Sequence, residues 1–133
     1  MVVKWQTITL HYSRSIRKTN EAKSILVEWK EKMYKITKLP NNCELLEYDN
    51  GNKYYYIDTG NEYYDFKYHR EDGPALEYTN GDKIWYINGK CHREDGPAVE
   101  YADGTKCWYI NDKQISCTTQ KQFEQLMRLK AFW

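Results

Sequence analysis

Two stretches of this chain carry a histidine, an arginine and two acidic residues in a row, followed by Gly-Pro-Ala. The first spells "HREDGPA" over residues 69–75, and the second repeats it over 92–98. Imidazole and carboxylate groups supply general acids, general bases and metal ligands. A metal site needs them to converge on one ion, but neighbours in an extended strand point to opposite faces. We therefore predict neither a metal nor another cofactor at these motifs.

The motif belongs to a longer repeat. Residues 68–90 and 91–113 are identical at sixteen of 23 positions. A structural unit recurs at a fixed period far more readily than a catalytic site does. Gly and Pro after the acidic pair are turn formers. The pattern favours a structural role over ligand binding or catalysis for ten residues: His69, Asp72, Gly73, Pro74 and Trp85 in the first copy, and His92, Asp95, Gly96, Pro97 and Trp108 in the second.

Each copy contains a first turn signal, Asn80-Gly81 or Asp103-Gly104, and a degenerate third copy over 45–58 has Asn50-Gly51. Such pairs are typical of two-residue hairpin loops. Counting back from such loops places Leu46, Leu76 and Val99 opposite Tyr55, Trp85 and Trp108 respectively. An aliphatic–aromatic pair would then recur in all three hairpins.

A second turn signal, Asn88-Gly89, predicts that Tyr86 faces Cys91 and that Trp85 faces His92. The same count in the last copy places Trp108 opposite Ile115. Because an isoleucine fills the histidine's place there, we expect His92 to act mainly by packing.

The composition fits a β-sheet protein. Aromatic residues make up 16% of the 133-residue chain, and such side chains pack well on a pleated surface. We predict one mainly β domain over 1–133: an antiparallel meander of stacked hairpin repeats with a short capping helix and a small mixed N-terminal region. Its parts are a basic region (1–38), a degenerate repeat with an insertion (39–67), two full repeats (68–113) and a C-terminal capping segment (114–133).

The C-terminal segment carries a capping box, in which Thr119 caps a helix and Gln122 reaches back to it. Phe123, Leu126 and Met127 share one face of that helix. We expect this face to cover the last hairpin.

The first 38 residues differ in charge from the rest. They carry nine Lys/Arg and three Asp/Glu, a net +6, whereas residues 39–133 carry eleven and sixteen, a net −5. This head is a solvated basic face, a surface for an anionic partner, or a part that docks on the acidic remainder of the chain. Residues 21–32 suit a helix or a strand. We expect the head, more than the repeated loops, to select the partner. The candidate partner-binding residues are Arg14, Arg17, Lys18, Lys23, Lys30, Lys32 and Lys35 in the head, and Tyr86 and Tyr109 in the repeats.

The chain has no run of 18 apolar residues, which predicts no membrane span. Its four cysteines form no Cys-x-x-Cys pair, and two of them replace other residues within the repeat. They suggest reduced thiols in a cytoplasm rather than a disulfide framework.

The tandem "HREDGPA-x-E-Y" pattern with the later "WY-x-N-x-K" resembles a repeat family widespread in bacteriophages and giant viruses. The resemblance covers about residues 39–133, and the 23-residue period is also similar to that of MORN repeats. It implies a hairpin array with a terminal helix, and a viral protein acting in the cytoplasm of an infected cell. It implies no catalytic residues.

The sequence therefore favours a non-enzymatic viral module that binds a host or viral protein. A narrower alternative is a phage anti-defence inhibitor, similar in role to an anti-CRISPR, that binds a host immune protein. A nucleic-acid binder acting through the basic head and a glycan binder acting through the aromatic repeats are less favoured. The chain has no phosphate loop, nucleophile motif or paired-carboxylate signature of an enzyme. The sequence leaves the oligomeric state open.

Overall fold

A computed structural model describes residues 33–60 and 66–130. The chain divides into two compact units, 1–35 and 36–133. The described part is mainly β, as predicted; the mixed N-terminal region lies largely outside it. The strands are β1 (Tyr34–Lys38), β2 (Cys43–Tyr48), β3 (Lys53–Asp58), β4 (Phe66–Tyr68), β5 (Leu76–Glu77), β6 (Lys83–Ile84), β7 (Tyr86–Ile87), β8 (Lys90–Cys91), β9 (Val99–Glu100), β10 (Lys106–Ile110) and β11 (Lys113–Ile115), and the helix is α1 (Gln120–Lys130).

Nine of these strands form one antiparallel meander in the order β1-β2-β3-β5-β6-β9-β10-β11, with β4 also paired to β3, while β7 and β8 form a separate ribbon. The long strand of each copy is shared between two hairpins. In β3, Lys53–Tyr54 pairs with β5 and Tyr56–Asp58 pairs with β4. The next copy splits the same strand into β6 and β7 at Trp85. In both copies, the first part of this strand pairs with the next copy in the main sheet, and the second part forms a hairpin with the strand that follows it.

The first turn has one residue more than the sequence predicted. Tyr78 N–H donates to the Asp82 carbonyl at 3.0 Å, Gly81 N–H donates to the Tyr78 carbonyl at 3.0 Å, and Gly81 has φ 101°. These bonds enclose a three-residue loop with a left-handed glycine at its end. Leu76 consequently faces Ile84, and the predicted partner Trp85 is wrong by one position.

The same correction applies to the other two copies, so the prediction of three aliphatic–aromatic pairs is wrong. Val99 faces Cys107 instead of Trp108. Leu46 faces Tyr54 instead of Tyr55, and this is the one aliphatic–aromatic pair among the three.

The second turn is confirmed. Asn88 and Gly89 have φ values of 51° and 78°, as a two-residue type I′ loop requires. Tyr86 faces Cys91 as expected. In the last copy, Trp108 faces Ile115.

Two continuous rows of side chains cross six strands of the main sheet. Residues adjacent along a strand point to opposite faces, so the rows lie on opposite sides of the sheet. The first row is apolar and mostly buried: Leu46, Tyr54, Leu76, Ile84, Val99 and Cys107. The second row alternates in charge: Glu47, Lys53, Glu77, Lys83, Glu100 and Lys106.

Helix α1 covers the last hairpin, as predicted. Phe123 is fully buried and packs with Trp108 and Ile115. Met127 also packs against this cluster, as predicted, whereas the predicted position of Leu126 on the buried face is wrong, because Leu126 is 37% exposed.

The start of the helix differs in one bond from the predicted capping box. Thr119 Oγ1 accepts from the Gln122 N–H at 3.3 Å, as expected of an N-cap. The Gln122 side chain reaches one residue further back, where its Oε1 accepts from the Thr118 N–H at 2.9 Å.

Candidate functional site

The two "HRED" motifs occupy equivalent corners of the fold. One corner links β4 to β5, and the other links β8 to β9. The chain makes a tight bend at 71–73 and again at 94–96. Each motif therefore stands where one copy of the repeat passes to the next.

Each histidine accepts a hydrogen bond from a turn 19 residues later in the chain. The Asn88 N–H donates to His69 Nδ1 at 3.0 Å, and the Asn111 N–H donates to His92 Nδ1 at 3.2 Å. An accepting Nδ1 places the ring hydrogen on Nε2. Nε2 of His69 lies 3.7 Å from the Glu71 carboxylate, and Nε2 of His92 lies 3.4 Å from the Glu94 carboxylate.

This bond corrects the expected role of His92. Its backbone lies beside Trp85 as predicted, and its N–H donates to the Trp85 carbonyl at 3.1 Å. The imidazole, however, satisfies a turn amide rather than acting by packing alone. No repeat follows Ile115, so that position has no further turn to bond.

The arginine makes the largest set of contacts in each motif. Arg93 Nε donates to Asp95 Oδ1 at 2.7 Å, and Nη1 donates to the Pro97 carbonyl at 3.2 Å and to Glu100 Oε1 at 3.1 Å. The guanidinium also lies over the Trp85 ring, 4.1 Å from its centroid. We call this set of contacts the arginine clamp.

Arg70 repeats the clamp in the first copy. It donates to Asp72 at 2.8 Å, to the Pro74 carbonyl at 3.2 Å and to Glu77 at 2.6 Å. Its guanidinium lies 4.0 Å from the centroid of the Tyr55 ring. The bond from Arg70 also lowers the pKa of the Asp72 carboxyl below its usual value.

The glycine of the motif makes room for the clamp. A Cβ on Gly73 would lie 2.9 Å from Arg70 Cζ, and one on Gly96 would lie 3.0 Å from Arg93 Cζ. Neither glycine has a positive φ. The chain does turn at these glycines, as predicted, and the structure adds a steric reason for glycine that the sequence analysis did not identify.

Tyr55 and Trp85 are each covered by a clamp arginine, whereas Trp108, the third ring at this position of the repeat, is covered by the helix. Trp108 occupies the place of Trp85, but Ser116 stands where a third clamp arginine would be. Phe123 of α1 lies against Trp108 with ring centroids 6.4 Å apart. Gln120 accepts from the indole N–H at 3.2 Å and donates to the Asp95 carbonyl at 3.1 Å. The helix thus replaces the missing clamp.

The sequence analysis did not predict the hydrogen bonds that link the first turns of successive copies. Asn52 Oδ1 accepts from the Thr79 N–H at 3.0 Å, and Asp82 Oδ1 accepts from the Ala102 N–H at 2.7 Å. The signal for them is a short polar side chain just after the turn glycine in each copy. Asp112 makes a further link, because its carboxylate accepts from the Cys91 N–H at 2.7 Å.

The predicted partner-binding tyrosines have packing contacts. Tyr86 and Tyr109 are half-buried and lie against the cluster of Cys91, Ala98 and Val99. Burial raises the pKa of Tyr86 above its ordinary value. Their role in partner binding stays a prediction.

A second aromatic cluster surrounds Tyr68. Its ring centroid lies 5.6 Å from that of Tyr86 and 6.2 Å from that of Tyr54. Burial, with a smaller contribution from the neighbouring tyrosines, raises the pKa of Tyr68 to about 12. The Tyr68 phenol therefore stays neutral at physiological pH and acts as a packing group.

Six of the seven head residues, Arg14, Arg17, Lys18, Lys23, Lys30 and Lys32, lie outside the described residues. Lys35 lies in β1 and is exposed. The role of this group as a partner surface stays a prediction.

In the part of the chain that the structure describes, no group of three His, Cys, Asp or Glu side chains is placed to hold a metal ion. Over the same residues, no helix is both long and apolar enough to cross a membrane. All four motif carboxylates are exposed, Glu71 and Glu94 to 81% and 74% and Asp72 and Asp95 to 85% and 83%, but only the two aspartates are bonded to the clamp arginine. The histidines and arginines beside them are engaged in internal contacts.

Comparison with family models, curated proteins and solved structures finds no significant match for this chain. The resemblance to the viral repeat family therefore stays a prediction based on the motif.

Proposed function

We propose that this protein is a non-enzymatic interaction module, in which the hairpin repeats form a scaffold that presents its turns to a partner protein. The observation that carries the proposal is a difference in location: the residues that the two copies share make internal contacts, whereas most of the residues that differ lie in exposed turns. The shared "HRED" groups make the same internal contacts in both copies, through the arginine clamps and the histidine–turn bonds.

The positions that differ between the copies complete the argument. At three of the seven differences, 68/91, 76/99 and 84/107, both members are half-buried or buried. The other four lie in turns, at 79/102, 80/103, 82/105 and 89/112, and are mostly exposed. Within the two repeats, information that could distinguish one partner from another is therefore concentrated in the turns. Repeat arrays generally bind through such variable positions on a constant frame.

A crosslinking experiment tests this proposal. A photo-reactive residue at position 80 or 103 should crosslink to a partner in a cell lysate, and the purified partner should co-elute with the protein as a stable complex. Substituting turn residues such as Asn80 and Asp103 with Ala should weaken that complex.

The matched control changes the motif at equally exposed positions. A Glu71→Gln, Glu94→Gln double variant should bind the partner as the wild type does, because the module uses these corners for folding. The proposal fails if this variant loses binding while the turn variants keep it. It also fails if the captured protein is chemically altered without forming a stable complex.

The basic head supplies a separate part of the proposal. Its net +6 charge suits an acidic protein surface and would speed association with it. Changing Lys23, Lys30 and Lys32 to Glu should slow partner association, and the slowing should shrink at high salt. If these changes also abolish binding to single- or double-stranded nucleic acid, the alternative of a nucleic-acid binder gains direct support.

The narrower proposal is that the partner belongs to a host defence system. Its support is the resemblance of the tandem motif to repeats of bacteriophages and giant viruses. Co-expression with a defence system in bacteria provides the test. Loss of that system's protection against phage supports inhibition, and full protection at saturating expression contradicts it for the system tested.

A further inference from the structure

In the main sheet, the first strand of one copy pairs with the start of the long strand of the preceding copy. This pairing occurs twice, and among the described residues the third long strand lacks such a partner. Strand β5 pairs with the first two residues of β3, and β9 pairs with the corresponding residues of β6. The corresponding residues of β10 are Lys106 and Cys107. These pair with β9 on one side, and within residues 33–60 and 66–130 no strand pairs with them on the other. We call this second side the β10 edge.

The backbone of the β10 edge is oriented to form a ladder. Tyr101 N–H donates to the Thr105 carbonyl, so Thr105 points toward β9. Backbone groups alternate in direction along a strand, so the N–H and C=O of Lys106 point the opposite way. In the occupied β6 arrangement, the next outward-pointing amide, that of Trp85, donates to the Ala98 carbonyl at 2.8 Å.

The turn beside this edge shows the same vacancy. A Cβ on Gly51 would meet Thr79 at 2.8 Å, and one on Gly81 would meet Ala102 at 3.3 Å. In both cases the neighbour belongs to the next copy. A Cβ on Gly104 would meet nothing within 4 Å among the described residues.

The row of alternating charge indicates which residue types an added strand would place beside the β10 edge. Lys53 lies between Glu47 and Glu77, and Lys83 lies between Glu77 and Glu100. Among the described residues, Lys106 has an acidic neighbour in this row on one side alone, which is Glu100. An acidic residue in an added strand would complete the row at Lys106, and an aliphatic residue beside it would face Cys107.

We infer that the β10 edge binds an extended segment of a partner protein, which adds as an antiparallel strand with a small, an aliphatic and an acidic residue in succession. The inference rests on the proposed function and names a site for it. Main-chain bonds would supply affinity, and the pairing with Lys106 and Cys107 would supply register. An exposed lysine at an edge can instead guard against pairing, and the experiment separates the two roles.

The probe is a synthetic peptide with blocked ends and the sequence of residues 97–103, "PAVEYAD". This segment already fills the equivalent arrangement on β6 within the chain. Titrated into isotope-labelled full-length protein, it should cause saturable NMR shifts at the amides of 104–108. It should also slow hydrogen exchange at the Lys106 amide.

Charge reversal provides the specificity test. Lys106→Glu should weaken binding of the parent peptide about fivefold to tenfold, and a peptide with its Glu replaced by Lys should recover the loss, because opposed charges are paired again. Lys113→Glu is the matched control, since Lys113 is an exposed lysine on β11 and has no part in the edge.

Three results of the peptide experiments would overturn the inference: no saturable shift at 104–108 up to about 1 mM peptide, equal binding of the peptide by Lys106→Glu, or a Lys106 amide already protected in the free protein. The last result would mean that another part of the chain or a second copy covers the edge. A full-length partner that still binds Lys106→Glu with unchanged affinity would refute this site and leave the proposed module intact. A bound peptide with no partner complex would refute the module alone.

Discussion

Replacing Arg93 tests whether the arginine clamp holds successive repeats together. The guanidinium bonds Asp95 within its own motif, the Pro97 carbonyl and Glu100 at the start of the next hairpin, and it covers the Trp85 ring of the preceding strand. Its side chain is 23% exposed. One residue therefore connects three segments.

The expected cost follows from these contacts. The charge-assisted bond to the carbonyl contributes about 1–1.5 kcal/mol. Asp95 is 83% exposed, and its ion pair adds at most about 0.5 kcal/mol. The pair with Glu100, which is one-third exposed, and the contact with the ring each add about 0.5–1 kcal/mol. We expect Arg93→Ala to destabilise the protein by about 3 kcal/mol, and Arg93→Lys by about half of that, because a single ammonium cannot span the fork.

Urea unfolding followed by far-UV circular dichroism measures both losses as differences in unfolding free energy. Arg128→Lys and Arg128→Ala are the controls, since Arg128 is an exposed arginine on α1. A lysine at position 93 that gives wild-type stability would refute the argument, because the geometry of the fork would then be irrelevant.

Four other predictions concern the packing, hydrogen bonding and ionisation of individual side chains. Phe123→Ala should lower the free energy of unfolding by about 3–4 kcal/mol in urea titrations, since it removes a fully buried ring. His92→Leu should cost about 1 kcal/mol by the same measurement, and His92→Asn less, because an amide oxygen can replace Nδ1. Burial raises the pKa of Cys91 to about 11 and that of Tyr68 to about 12. The Cys91 thiol should therefore alkylate about 100-fold more slowly at pH 8 than in the urea-unfolded chain. Raised pKa values in the folded state favour the protonated groups, so stability should fall as pH rises from about 9 to 12, first through Cys91 and then through Tyr68. Urea midpoints that rise over this pH range would contradict the prediction.

The sequence predicted the repeat, the second turn and the covering helix because each has a local signal. It failed on the first turn because the same Asn-Gly pair suits two loops. At Asn88-Gly89 both residues take positive φ, as a two-residue loop requires. At Asn80-Gly81 the glycine alone does, and Asn80 Oδ1 instead accepts from the Asp82 N–H at 2.9 Å. The difference depends on tertiary pairing and not on the dipeptide.

The structural role of the "HRED" motif could be predicted from the sequence, but the contacts that its side chains make could not. A motif repeated at a fixed period indicated structure, and the clamps agree with that interpretation. The partners of the motif lie far away in sequence: the Asn111 amide is 19 residues from His92. One signal was present, since Trp108 persists where its clamp arginine is replaced by Ser116. A ring that keeps its place without its usual cover requires a new one, and Phe123 provides it.

The last copy of the repeat exposes two different kinds of surface, an aromatic face and a strand edge, and the two differ in whether folding requires them to be covered. The face presents a large ring, whose exposure would leave apolar area in water, and α1 buries Trp108 to 3% exposure. The edge presents backbone groups, which water can satisfy at little cost. Folding therefore requires that the last face be covered but not that the β10 edge be filled. A surface that keeps the register of the repeat, carries half of a charge pair and is not needed for stability is well suited to take its missing strand from another molecule.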